Sequence, residues 1–171
     1  RISPMQLAAK NNHVEAMTWL LEQENLSSLP RTKTVPTPFE LAKQEGNETL
    51  LTLYEARPIF HAIMHPIKGK SFGNYVSHLQ KYPAIVHTKW SEQKTLLHLA
   101  VIQGNDEAVH HLLAQGASPN AVDEKRLTPL HYAIELGHQT IVSQLLKQDN
   151  VALHLPNAEG VLPLQDILSL F

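Results

Sequence analysis

KTLLHLAVIQGNDEAVHHLLAQGASPN, residues Lys94 to Asn120, decides how the chain is read, because LTPLHYAIELGHQTIVSQLLKQ, Leu127 to Gln148, repeats its pattern almost residue for residue. Setting Thr95 against Thr128 pairs His98 with His131, Ala100 with Ala133, Gly104 with Gly137, Val109 with Val142 and Leu112-Leu113 with Leu145-Leu146, all at an offset of 33 residues. A fixed period of this size means stacked supersecondary units, not strands or helices gathered round one centre.

Each unit can be derived from its residues. Thr128 can cap a helix N-terminus, and Pro129 fits the first turn, where a missing N–H costs nothing. Leu130, Tyr132, Ala133 and Leu136 give a short first helix, which Gly137 ends in a conformation that a residue with a Cβ resists. Ile141, Val142, Leu145 and Leu146 then recur at three- and four-residue spacing and share one face of a second helix. The turn formers Gly116-Ala117-Ser118-Pro119-Asn120 link this unit to the one before.

The pattern resembles the ankyrin repeat, with its TPLHLAA opening, Gly-His turn, Val/Ile-Val-x-x-Leu-Leu helix and Gly-Ala-Asp-x-Asn hairpin. Thr128-Pro129-Leu130-His131-Tyr132-Ala133, Gly137-His138 and Gly116 to Asn120 carry the resemblance. It implies an all-α solenoid of stacked helix-turn-helix units with short hairpin loops. It also implies that His98 and His131 hydrogen-bond within and between units, and that partner proteins bind on the concave face of hairpin tips and first helices.

Outward from the centre, Ser3-Pro4-Met5-Gln6-Leu7-Ala8-Ala9 and Thr37-Pro38-Phe39-Glu40-Leu41-Ala42 open two earlier units, 34 residues apart. Asn12 stands where Gly is usual, which its short polar side chain tolerates. Ala16, Met17, Leu20 and Leu21 supply a second-helix stripe, with Trp19 expected in the core beside Leu20, and Glu24 to Lys33 reads as a polar loop. Pro58 to Ile63 reads as the first helix of a third unit. It begins only 20 residues after Pro38, so a whole hairpin is missing before it and a distorted joint is expected. Pro66 and Gly69 interrupt the chain before a second helix with Tyr75, Val76 and Leu79, and Pro83 to His87 takes the hairpin position. Val161 to Leu168 opens a sixth unit. The expected architecture is a single domain over 1–171, with units 2–34, 35–56, 57–89, 90–122, 123–156 and a partial 157–171, expected to be a piece of a longer chain.

Composition narrows the function. With 14 Lys+Arg against 16 Asp+Glu and no block of like charge, a nucleic-acid partner is not expected. No apolar run approaches eighteen residues, so neither is a membrane span. Cysteine is absent, which excludes disulfides, thiolate metal sites and Cys nucleophiles within these residues. No Gly-x-Ser-x-Gly turn and no phosphate-cradling glycine loop occurs, and Asp106-Glu107 and Asp123-Glu124 fall where helix dipoles or solvent accommodate charge. His61 and His65, four apart, lack a third ligand, and His110 and His111 point about 100° apart on a helix. No enzyme activity, cofactor or metal site is expected.

The surface remains. On the concave face implied by the resemblance, the candidate partner-binding residues are Trp90, Glu92, Lys94, Ile102, Gln103, Glu124, Lys125, Leu127, Glu135 and Leu136. Trp90 and Leu136 are expected to anchor binding without contributing to stability, although Trp90 can also be read as packing on the irregular unit before it. Asn120 matches the hairpin Asn that is hydroxylated in some ankyrin proteins, and it can equally serve to bond the hairpin backbone. The expected function is that of a monomeric protein-interaction module in the cytoplasm. Alternatives are a substrate-recruiting domain of a larger enzyme, a secreted bacterial effector working in a host cytosol, or a dimerisation module.

Overall fold

The computed structural model describes residues 3–23, 36–66, 70–163 and 165. Among these residues there are nine α-helices and no β-strand: α1 (Pro4–Lys10), α2 (Val14–Glu22), α3 (Pro38–Gln44), α4 (Glu48–Met64), α5 (Val76–Lys81), α6 (Leu96–Ile102), α7 (Asp106–Ala114), α8 (Pro129–Glu135) and α9 (Gln139–Leu146). The polar loop anticipated over Glu24–Lys33, and most of the helix anticipated for the sixth unit, lie outside the described residues.

The short first helices all begin in the same way. Ser3, Thr37, Thr95 and Thr128 sit in extended backbone, and each side-chain oxygen accepts the amide three residues on. Gln6, Glu40, His98 and His131 return a side-chain acceptor to the cap residue's own N–H, so two orphan donors are satisfied at each start. Positive φ ends each of these helices: 57° at Asn12, 65° at Gly46, 63° at Gly104 and 70° at Gly137. Asn12 thus does the work of glycine, as its residue type allows.

First helices pack on first helices, α1 on α3 and α6 on α8, while second helices pair α2 with α4 and α7 with α9. The rows bury Met17, Leu21, Leu50, Ala108, Leu112, Ile141 and Leu145 between units. Trp19 corrects the reading that placed it in the core: it is 59% exposed. Its counterparts in later units, His111 and Gln144, reach back to the unit before, to Phe72 and to the Asp106 carbonyl. Trp19 points the same way, where no described residue precedes Ser3.

The third unit departs from the pattern differently than expected. Pro58 does not open a separate helix; it lies inside α4, which runs unbroken over 17 residues. The second helix of the second unit and the first helix of the third are one rod, which is why no hairpin separates them. Pro58 cannot donate to the Tyr54 carbonyl, a local loss that the burial of Ala56, Ile59, Phe60 and Ile63 around it offsets. The rod stops at Met64 because Pro66 disfavours helical backbone at His65, which adopts φ −131° and ψ 70°. Its C-terminal half packs on α6, with the Gln103 amide nitrogen 3.8 Å from Met64 Sδ. Beyond the break, a 3-10 turn over Phe72–Tyr75 leads into α5, and Pro83–His87, anticipated as a hairpin, is a 3-10 helix that buries Ile85 and Val86. Glu107 on α7 ties this unit to the next by accepting the Phe72 and Gly73 amides at 2.9 and 3.0 Å and the Ser71 hydroxyl.

His98 and His131 take the structural role implied by the repeat. Nδ1 of each lies 3.1 Å from the cap residue's amide, a donor, so Nδ1 accepts and Nε2 carries the hydrogen. Nε2 then donates forward to the next unit, to the Leu127 carbonyl from His98 at 3.1 Å and to the Val161 carbonyl from His131 at 3.3 Å. His98 is wholly buried, and desolvation is the main cause that pulls its pKa from 6.5 to about 4, against the opposing bond to Leu127.

Because the folded pKa of His98 lies below the unfolded one, its contribution to stability is complete above about pH 6.5 and is lost as pH falls through 6.5 towards 4. Urea unfolding at pH 7.5 and pH 5 should differ by about 2 kcal/mol on this account, and His98→Gln should remove that difference; an imidazole titrating near 6.5 in the folded chain would refute it. At Gly104 an added Cβ would stand 3.1 Å from His138 Cε1, whereas at Gly137 it would meet nothing. Gly104→Ala should therefore lower the melting temperature more than Gly137→Ala, which carries only the roughly 1 kcal/mol backbone penalty.

Candidate protein-binding face

Three hairpins line up at the N-terminal ends of the first helices. Each is closed by one backbone bond, Trp90 N–H to the Lys94 carbonyl at 2.8 Å, Asp123 to Leu127 at 3.1 Å and Asn157 to Val161 at 2.9 Å. Neighbouring tips are laced together: the Glu124 amide donates to the Glu92 carbonyl at 3.1 Å, and the equivalent Ala158 amide to the Lys125 carbonyl at 2.9 Å. Asp123, expected to be simply solvated, is instead buried. One carboxylate oxygen accepts the Lys125 and Leu127 amides at 2.9 Å each, and the other accepts the Tyr132 hydroxyl at 2.7 Å. Burial first, and then this hydrogen bond, push the Tyr132 phenol well above its ordinary pKa.

The candidate residues divide into three groups. Glu92 and Lys94 form an ion pair, whose hydrogen bond holds the Glu92 carboxyl below the usual range. The Lys94 ammonium also lies 5.9 Å from the centre of the Tyr132 ring, which makes Tyr132 part of this face. In the sequence Tyr132 stands out only as a phenol among aliphatic helix residues, nine positions from Asp123. Glu124 and Lys125 are exposed on the neighbouring tip, and Leu127 is half-buried with its carbonyl taken by His98. The remaining residues, Ile102, Gln103, Glu135 and Leu136, stand at the opposite ends of α6 and α8, about 10 Å away at the rise of a seven-residue helix. Leu136 is 46% exposed, Ile102 is half-buried, and Gln103 and Glu135 are exposed.

Trp90 does not belong with them. It is 2% exposed and stacks on Phe60 of α4, with ring centroids 4.2 Å apart, so it is part of the joint and cannot anchor a partner. Asn120 bridges to the next unit, its amide donating to the Asn150 carbonyl at 2.6 Å and accepting the Ala152 amide at 2.8 Å.

No catalytic arrangement emerges from the described side chains. Ser71 and Glu107 are in contact and His111 is close by, but the Glu107 oxygens are taken up in accepting backbone amides and the Ser71 hydroxyl. No group of three or more His, Cys, Asp or Glu residues that could hold a metal occurs among the described residues, and no helix there is long and apolar enough to cross a membrane.

Comparison with known proteins agrees with this geometry. The profile for ankyrin repeats (3 copies) matches residues 67–157, more than half of the chain. Rabankyrin-5 of Mus musculus is 39% identical over 70 residues, 41% of this chain and 6% of its own length. The nuclear factor NF-kappa-B p105 subunit of Rattus norvegicus is 37% identical over 79 residues, 45% of this chain and 8% of its own. The phosphate system positive regulatory protein PHO81 of Saccharomyces cerevisiae is 28% identical over 175 residues, 92% of this chain and 14% of its own. The chain thus spans a small part of each of these relatives. Laced hairpins, capped helix pairs and the forward-donating histidines, together with the profile match, show that the chain belongs to the ankyrin-repeat family.

Proposed function

We propose that this chain is a non-catalytic, monomeric protein-binding module that takes its partner on the face formed by the fourth and fifth units. Ankyrin repeats generally serve as protein-protein interaction modules; the specific face is the finer step. The observation that carries it is the set of side chains left over once the fold is satisfied. Leu136 and Ile102 offer apolar surface at the ends of α8 and α6, beside Met64. Glu124, Lys125 and Glu135 are exposed and form no ion pair among the described residues. Apolar anchors inside a rim of hydrated charges of both signs suit a folded protein surface or an extended segment, with the charges steering encounter and the anchors supplying affinity. The hairpin tips present such groups from a backbone already fixed by its lacing, so little ordering entropy would be lost on binding. The cytosol is the compartment that goes with this reading.

The test is affinity capture of partners by the folded chain, compared with Leu136→Glu. Capture should fall at least tenfold while the melting temperature stays within about 2 °C, as for an exposed substitution. Trp90→Ala supplies the contrast, since truncating a buried stacked Trp should cost roughly 3–5 kcal/mol and lower the melting transition. Equal capture by Leu136→Glu and the unmodified chain would discard this face, and a particle mass that doubles with concentration in light scattering would replace the monomer by the dimerisation reading.

A further inference from the structure

In a regular solenoid each unit touches only its neighbours. The end of α2 breaks that rule. Glu22, its last residue, accepts the Ser91 amide at 2.8 Å on one oxygen and the Ser91 hydroxyl at 2.6 Å on the other, 69 residues along the chain and in the fourth unit. One residue earlier, the Leu21 carbonyl lies 3.3 Å from Arg57 Nε and 3.2 Å from His61 Nε2, both on the extension of α4. Trp90, beside Ser91, stacks on Phe60, beside His61. The fused rod stands where a hairpin would otherwise separate these units, and this brings the first unit within reach of the fourth.

The hairpin at Trp90–Lys94 also lacks an internal acceptor that the later hairpins have. In the next two hairpins the first residue is Asp123 or Asn157, and its side chain accepts two amides of its own turn, those of Lys125 and Leu127 or of Glu159 and Val161. The fourth unit has Trp90 at that position, whose ring is committed to Phe60 and has no acceptor to give. Glu92 and Gln93 in the same turn both hold φ 59°, a region that side-chain-bearing residues rarely adopt. A turn with these strained residues and no acceptor on its first side chain leaves more of its order to groups outside it.

We propose that Glu22 is a coupling element that takes the Ser91 amide where the preceding hairpin's carbonyl takes the equivalent Glu124 and Ala158 amides in the later units, and so makes the order of this hairpin depend on the first unit. Resting on the function proposed above, its consequence is that the first unit positions Glu92 and Lys94 for a partner without touching it. A ligand or substitution that loosens the end of α2 would loosen that part of the face from the far side of the joint.

The experiment is residue-resolved amide hydrogen exchange on the intact chain and requires no partner, so its outcome is independent of whether Leu136→Glu abolishes capture. In Glu22→Ala the Ser91 amide should exchange about tenfold faster or more, while the Lys125 and Leu127 amides, held by Asp123, change less than twofold. Glu22→Gln, which keeps an acceptor but loses the charge, should fall between. Unchanged exchange at Ser91 in a Glu22→Ala chain whose α1 and α2 remain protected would overturn the proposal. Should Glu22→Ala melt the first unit, Ser91→Ala reads the same coupling from the other end, because such coupling is reciprocal: the amides of Leu21, Glu22 and Gln23 should exchange several-fold faster, and no change there would overturn it equally.

Discussion

A buried side chain that accepts from its own helix cap and donates to the carbonyl opening the next unit is the constraint on which the stack depends. His98 does this between Thr95 and Leu127, and His131 between Thr128 and Val161. In the first unit Gln6 performs the same task with an amide, its oxygen 2.8 Å from the Ser3 N–H and its nitrogen 2.7 Å from the Pro36 carbonyl. Imidazole and carboxamide are interchangeable here because each carries one acceptor and one donor at opposite ends. Burial keeps the His98 ring neutral, and only the neutral form can accept at one nitrogen while donating at the other.

The second unit shows what happens without the donor. Glu40 stands at the same position, and its carboxylate accepts the Thr37 amide at 2.7 Å and the Thr37 hydroxyl at 3.0 Å, but it has no hydrogen to pass forward. The unit that follows has no hairpin carbonyl to receive one, since α4 runs straight through. The residue type and the missing loop agree, and the cap alone remains for Glu40 to serve. Removing the loop shortens the path between the first and fourth units, so Glu22, Leu21, Arg57, His61, Phe60, Trp90 and Ser91 converge where an ordinary solenoid would keep them apart.

Much of this was legible in the chain itself. The 33-residue offset, the Thr-Pro starts, the glycine stops and even Asn12 as a glycine substitute each specify a local conformation that needs no tertiary help. What the sequence hid depends on direction along the stack. Trp19 and Leu20 are adjacent on one helix, yet Trp19 faces away from the second unit, as Leu7 does at 52% exposure, while Met17 and Leu21 face the second unit and are buried. Leu146 is likewise exposed although its equivalent Leu113 is half-buried. Pro58 reads as a start because proline favours first turns, and nothing local says that its neighbours bury enough surface to carry it inside a helix. Trp90 reads as a surface anchor because aromatic side chains dominate binding surfaces, but the other reading, packing on the irregular unit before it, is the one the rod fulfils by bringing Phe60 under it. Position within the repeat sets the backbone, and packing against the described neighbouring helices sets the burial.

For the proposed binding face, this separates side chains that are committed from those that are free. Asp123 and Tyr132 hold the fifth hairpin to its helix, and Lys94 and Glu92 neutralise each other beside them, so a change at Asp123 or Tyr132 disturbs the scaffold together with any contact it makes. Glu124, Lys125, Glu135, Gln103 and Leu136 make no side-chain contribution of that kind, apart from the Gln103 contact with Met64, and their backbone is fixed by laced tips and capped helices. Exposed substitutions away from structural features cost little stability. Selection for a partner can therefore act on these positions one at a time without disturbing the lacing beneath them. On the proposed reading, specificity resides in the side chains the repeat does not need, and the forward-donating residues beneath keep those side chains in register.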